Sequence, residues 1–174
     1  PIVKTYQVGA NSRFNINVGV EHERLANAAV ASRYESDVPI IVERTMWWPG
    51  SPAEWTEGHN SFGVTSTGTK WALAEGEAGG PLNTSTFILV ANTSPFAGEA
   101  KVTLLFEDGP AISQTIPLGA NSRQTVTMDG PFAAAAGKRF STVVESLGAT
   151  PAQIVVERAM YSDSRGMSWS AGSN

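Results

Sequence analysis

The residues that could do chemistry are few. There are two histidines, His22 and His59, and no cysteine. His22 lies between Glu21 and Glu23, a triplet with the composition of a carboxylate–histidine metal cluster. Three consecutive loop residues cannot easily converge on one tetrahedral ion, so the triplet reads as a solvated loop. His59 is matched by Ser173 elsewhere in the chain and reads as structural. Neither histidine belongs to a Ser/His/Asp spacing signature, and there is no Gly-x-Ser-x-Gly elbow. No Walker-type or Gly-x-Gly-x-x-Gly phosphate loop occurs. The lack of cysteine removes disulfides, thiolate metal sites and a Cys nucleophile. The expectation is a protein that is not an enzyme and needs no cofactor or metal.

Four glutamates and two arginines stand out because they recur: Glu35 with Glu145, Glu43 with Glu157, and Arg44 with Arg158. A glycosidase would need two carboxylates ~5–10 Å apart. Strand alternation instead places Glu157 and Arg158 on opposite faces, and makes Glu145 the expected partner of Arg158 on a neighbouring strand. A planar guanidinium suits a carboxylate and can fix strand register at little net energy. These six residues are expected to form structural ion pairs.

Trp47, Trp48, Trp55 and Trp71 fall within 25 residues of one another, and Trp169 matches Trp55. Indole rings bury large areas while keeping an N–H to satisfy, so packing between modules is the first reading. A platform for surface glycans is the alternative, in which case the protein is a carbohydrate-binding module. On a strand, Trp47 and Trp48 point to opposite faces. Glu107-Asp108-Gly109 has too few ligands for a calcium site and reads as a hairpin turn. Asn83-Thr84-Ser85 and Asn92-Thr93-Ser94 fit the short glycosylation acceptor pattern, which in a bacterial protein carries little meaning.

The elements that position these residues come from an internal repeat. Thr5–Arg13 matches Thr115–Arg123 at an offset of 110, around the shared Gly-Ala-Asn-Ser-Arg. Val38–Trp47 matches Ala152–Tyr161 at an offset of 114, as Trp55, Gly58 and Asn60 match Trp169, Gly172 and Asn174. The second copy thus carries four extra residues between Leu147 and Pro151. Residues 61–174 make one full period and residues 1–60 the second half of another, so the chain is expected to begin mid-period and end on a boundary. Pro1 in place of Met fits a processed, excised or partial chain.

In the full period, alternating or apolar runs at 71–75, 87–91, 101–107, 112–117, 123–128, 140–145 and 153–161 are bounded by turn clusters such as Asn92-Thr93-Ser94-Pro95 and Asp108-Gly109-Pro110. Seven short strands at this spacing predict an all-β fold, an antiparallel β-sandwich of immunoglobulin-like shape. One short helix or turn is expected at 132–136, with a counterpart at 23–29. The half copy is expected to supply strands at 5–8, 13–18, 29–35 and 39–48, with sheet edges that something else must cover. Gly58–Lys70 reads as a linker.

Charged residues are only 16% of the chain and the net charge is −4, which leaves no basic stripe for nucleic acid. No apolar run approaches the ~20 residues of a membrane span, and no signal peptide stands at the start.

The blocks Gly58–Thr65, Lys70–Gly76, Phe87–Asn92, Gly119–Arg123, Phe140–Ser146 and Ile154–Tyr161 together resemble a bacterial tandem repeat of large secreted or surface proteins, classed as a domain of unknown function. The departure lies at Ser162–Ser168, which lacks the second Trp seen at Trp48. The resemblance implies repeat architecture and an extracellular or cell-surface location, and no chemistry. The expected function is a non-catalytic structural or interaction module, with neighbouring modules or other copies of itself as partners, assembling into a fibre by strand complementation.

Overall fold

A computed structural model describes the backbone of residues 1–49, 55–162 and 169–173, and the side chains of residues 1–46, 58–162 and 170–172. Two compact units divide at Arg33 and Tyr34.

The larger unit is all-β and antiparallel. In chain order its strands are β1 (Glu43–Pro49), β2 (Trp55–Phe62), β3 (Lys70–Ala78), β4 (Ser85–Asn92), β5 (Gly98–Phe106), β6 (Ile112–Leu118), β7 (Ser122–Thr127), β8 (Lys138–Ser146), β9 (Ile154–Ser162) and β10 (Trp169–Ser173). One four-stranded sheet runs β10-β9-β4-β7, a second runs β3-β8-β5-β6, and β1 and β2 form a hairpin of their own. The two larger sheets face each other in a β-sandwich-like arrangement. Period-2 alternation explains it: Ile88 and Val90 of β4, Val102 and Leu104 of β5, Val144 of β8, and Ile154 and Val156 of β9 are all buried in one apolar cluster. Burying each such side chain contributes roughly 1.5–3 kcal/mol.

One edge of the sandwich is laced shut. Gly68 bridges to Ile154, and the Trp71 indole N–H donates to the Ile154 carbonyl at 2.9 Å. A bulge in β3 sets two residues, Ala74 and Glu75, against one on β8, between the pairs Leu73↔Thr142 and Gly76↔Phe140. Bulged residues leave the ladder, and the Glu75 carbonyl accepts from Arg158 at 2.6 Å. At Gly76 a Cβ would overlap the Phe140 ring, which is why the bulge ends on glycine.

Two runs differ from expectation beside this sandwich. Gly58–Phe62 belongs to β2 rather than to a linker, and β10 is an additional strand. The short helix expected at 132–136 is a 3-10 helix at Gly130–Ala135 that buries Phe132 and Ala135.

The smaller unit, Pro1–Arg33, contains no strand among its described residues. It has a one-turn helix at Val18–Glu21 and a 3-10 turn at Glu23–Leu25. The Tyr6 hydroxyl donates to Glu21 at 2.7 Å, and the Tyr6 and Phe14 rings lie 5.4 Å apart. The strands expected at 5–8, 13–18 and 29–35 are therefore absent, and the one expected at 39–48 shortens to β1 at Glu43–Pro49. Alternation supplies a strand with a face to bury but not with a neighbour for its backbone groups, and both are needed.

Candidate functional site

A group of charged and titratable side chains lies between the β1–β2 hairpin and the outer face of the β10-β9-β4-β7 sheet. Register fixes which side chains share the hairpin's inner face. Arg44 pairs with Ser61 and Met46 with His59, and these four are half-buried while Glu43, Thr45, Asn60 and Phe62 on the other face are exposed. The receiving face is equally determined. Ile154, Val156, Arg158 and Met160 of β9 point to the core, so Glu157 and Tyr161 point outward. Phe87 and Leu89 lie beside them on β4 and Arg123 on β7, through the pairs Phe87↔Ala159, Leu89↔Glu157 and Ala91↔Arg123.

Arg44 and Glu157 join hairpin to sheet. The guanidinium donates from both terminal nitrogens to the two carboxylate oxygens, one contact at 2.8 Å and the other between Nη2 and Oε1. A two-point fork of this kind fixes orientation as well as distance. His59 sits over Gly172, where a Cβ would overlap its ring. Its Nε2 is 4.0 Å from Glu157, and neither ring nitrogen has a hydrogen-bond partner among the described residues. Burial lowers the His59 pKa, Arg44 lowers it further, and Glu157 opposes both. Burial likewise lowers the Arg123 pKa and raises that of Tyr161. The site therefore disfavours the charged form of its imidazole beside one bidentate ion pair. It can dock a strand pair, and its one carboxylate is already committed to Arg44.

The remaining expected residues are scattered. Arg158 does not meet Glu145. It reaches the backbone oxygen of Glu75 and its carboxylate at 3.3 Å. The bulge in β3 brings that carbonyl within reach. Glu145 pairs instead with Lys70 at 2.8 Å, its neighbour in the β3–β8 register, and that hydrogen bond holds its carboxyl below the usual range. Glu43 is exposed on β1, and Glu35 lies outside any strand. Trp71 is half-buried against the core cluster and its N–H is used. The side chains of Trp47, Trp48, Trp55 and Trp169 lie outside the described residues.

Glu21-His22-Glu23 forms a local turn. His22 Nδ1 accepts from the Arg24 backbone N–H at 3.0 Å, and Glu21 faces Tyr6 and Lys4. Among the described residues, no group of His, Asp and Glu could hold a metal ion. A surface depression of about 310 Å³ opens beside Thr84, Phe87, Thr127 and Asp129, and its one carboxylate, Asp129, takes the Thr127 hydroxyl. No helix among the described residues is long and apolar enough to cross a membrane.

Sequence reasoning missed Asn92. Its side chain is buried, donates to the carbonyls of Phe96 and Gly119 at 2.9 and 2.8 Å, and accepts from Ser94 N–H. The Asn-Thr-Ser-Pro turn cluster was the available signal. It read as a loop rather than as a clamp between two loops.

No family model matches this chain, and no curated protein is similar to it. Solved structures do match, among them the following two. Thermotoga maritima 1070 is 14% identical with a TM-score of 0.53, over 63% of this chain and 93% of its own. That likeness is one of fold alone. The Anabaena sensory rhodopsin transducer is 19% identical with a TM-score of 0.43, over 55% of this chain and 86% of its own.

Proposed function

We propose that this chain is a non-catalytic interaction module of an extracellular or cell-surface repeat protein, and that its N-terminal part is a half module completed by strands from elsewhere. One observation carries the reading. Core positions of the sandwich have sequence counterparts that stand in water: Leu118, Val144 and Ile154 are 2%, 0% and 0% exposed, whereas Val8, Tyr34 and Ile40 are 51%, 48% and 48% exposed. Large apolar side chains repeated at core positions of a matched segment, yet left exposed, mark a surface meant to be covered. The low charge and the abundance of Ser, Thr and Asn support a secreted location.

The sandwich is immunoglobulin-like in this reading. Lettering β3–β9 as A–G, the central pairs B–E and C–F of that fold are kept, as β4-β7 and β5-β8, while the first and last strands trade sheets and the fourth, β6, pairs with β5 instead of β7.

Residues 1–174 hold one set of first-half strands, β3–β6, and two segments with second-half sequence. In this reading the completing strands come from another segment with the pattern of residues 70–118, in a neighbouring module or a partner chain. A fibre built this way grows by donated strands. The glycan-platform reading is weakened at Trp71, whose half-buried ring packs against the core cluster and whose N–H is used.

The test is a chain with residues 61–118 duplicated ahead of Pro1. Hydrogen exchange should show residues 5–8, 13–18 and 29–35 acquiring strand-like protection. If they exchange as fast as in the original chain, the half-module reading is wrong.

A further inference from the structure

The inner face of the β1–β2 hairpin has two claims on it. By sequence match, Val42, Arg44 and Met46 correspond to Val156, Arg158 and Met160. In the sandwich those three point into the core, where Arg158 reaches the Glu75 carbonyl and carboxylate of β3. In the hairpin the corresponding Arg44 reaches Glu157, on the outer face of the chain's own β9. Two matched arginines thus each reach a glutamate, one on β3 from the core face and one on β9 from outside. A face cannot be a core face and a docking face at once.

We infer that the Arg44–Met46–His59–Ser61 face is an interaction surface for a β3-like strand, one that presents a bulge carbonyl and a carboxylate as Glu75 does, and that its seat on Glu157 is a self-contact which this strand displaces. This rests on the half-module reading and names the surface through which completion begins. The fit of the seat is modest by construction. Arg44 is 39% exposed in its side chain, Arg44 Nε, both His59 ring nitrogens and Ser170 Oγ are buried without partners among the described residues, and the hairpin is bonded to no third strand.

Binding of a synthetic peptide of residues 64–118 to the full chain tests this, by calorimetry and by hydrogen exchange of residues 43–49 and 58–62. In Glu157→Lys the self-contact is repelled by Arg44 and Arg123. The released hairpin should exchange faster while β4, β5 and β8 keep their protection, and the peptide should bind about tenfold tighter, because the competing state no longer takes the surface. Gly172→Ala, which sets a Cβ against His59, should act in the same direction, and adding His59→Gly should reverse it. Equal peptide affinity in the original chain and both variants overturns the self-contact while leaving the half-module reading intact. No peptide binding to any of them overturns both.

Discussion

Residues 5–48 and 115–162 share sequence blocks but not structure. The second segment is four strands of a sandwich, and the first is a short helix, a turn and part of one hairpin. The Gly-Ala-Asn-Ser turn is the exception. Asn11 and Asn121 have φ of 52° and 45°, and Ser12 and Ser122 donate to the carbonyls of Gly9 and Gly119 at 2.7 and 2.8 Å. A turn is specified by four residues and their local hydrogen bonds, whereas a strand is specified by its neighbours. The same letters therefore give the same turn in both places and strands in only one.

The sharpest way to break this comparison is to truncate matched positions. Ile154→Ala should cost about 2–5 kcal/mol in denaturant unfolding of the sandwich, because it opens a cavity in a packed core. Ile40→Ala, its counterpart, should cost less than about 1 kcal/mol, since its side chain is 48% exposed and little area returns to water. Similar losses at both sites would mean that Ile40 is covered in solution.

The arginines come next. Arg158→Ala strips the Glu75 carbonyl of its donor inside the sandwich and should cost about 1–3 kcal/mol. Arg44→Ala removes a half-exposed pair and should change global stability by no more than about 1 kcal/mol, with its effect seen as faster exchange in β1 and β2. A smaller contrast separates the turns. Asn121→Ala removes the short polar side chain that makes the left-handed region tolerable and should cost about 1 kcal/mol, while Asn11→Ala should leave the unfolding midpoint of the sandwich where it was.

The smallest effect is the pH dependence of the hairpin. His59 has a folded pKa below its unfolded value of about 6.5, from burial first and Arg44 second. Below that pH the undocked hairpin takes up a proton that the docked one resists. Docking should be undiminished above about pH 6.5 and weaken as pH falls toward the lower folded value. Exchange rates of residues 43–49 should rise over that window and stay flat in His59→Gln.

Much of the sandwich was legible because alternation, turn clusters and strand length all agree between residues 71 and 161. β10 and β2 were not, since Ser170-Ala171-Gly172-Ser173 and Gly58-His59-Asn60-Ser61 have linker composition and become strands through their pairing with β9 and β1. At the site, the residue types were visible and the partners were not. Recurrence marked Arg44 and Glu157, yet it suggested pairs within one matched segment, and the observed pair joins the two segments. Glu145 went to Lys70 because the β3–β8 register sets them side by side, and a register across 75 positions of sequence is not readable from alternation.

The turn at Gly119–Ser122 has a consequence in time as well as in space. It carries the chain from β6 in one sheet to β7 in the other, so it is the arch over which the sandwich closes. A segment that takes this shape without its strands can do so early, on the timescale of local loop closure rather than of long-range pairing. Each sheet then begins its search already aimed at the other, and a topology rich in distant contacts, which ordinarily folds slowly, starts with one of its crossings made.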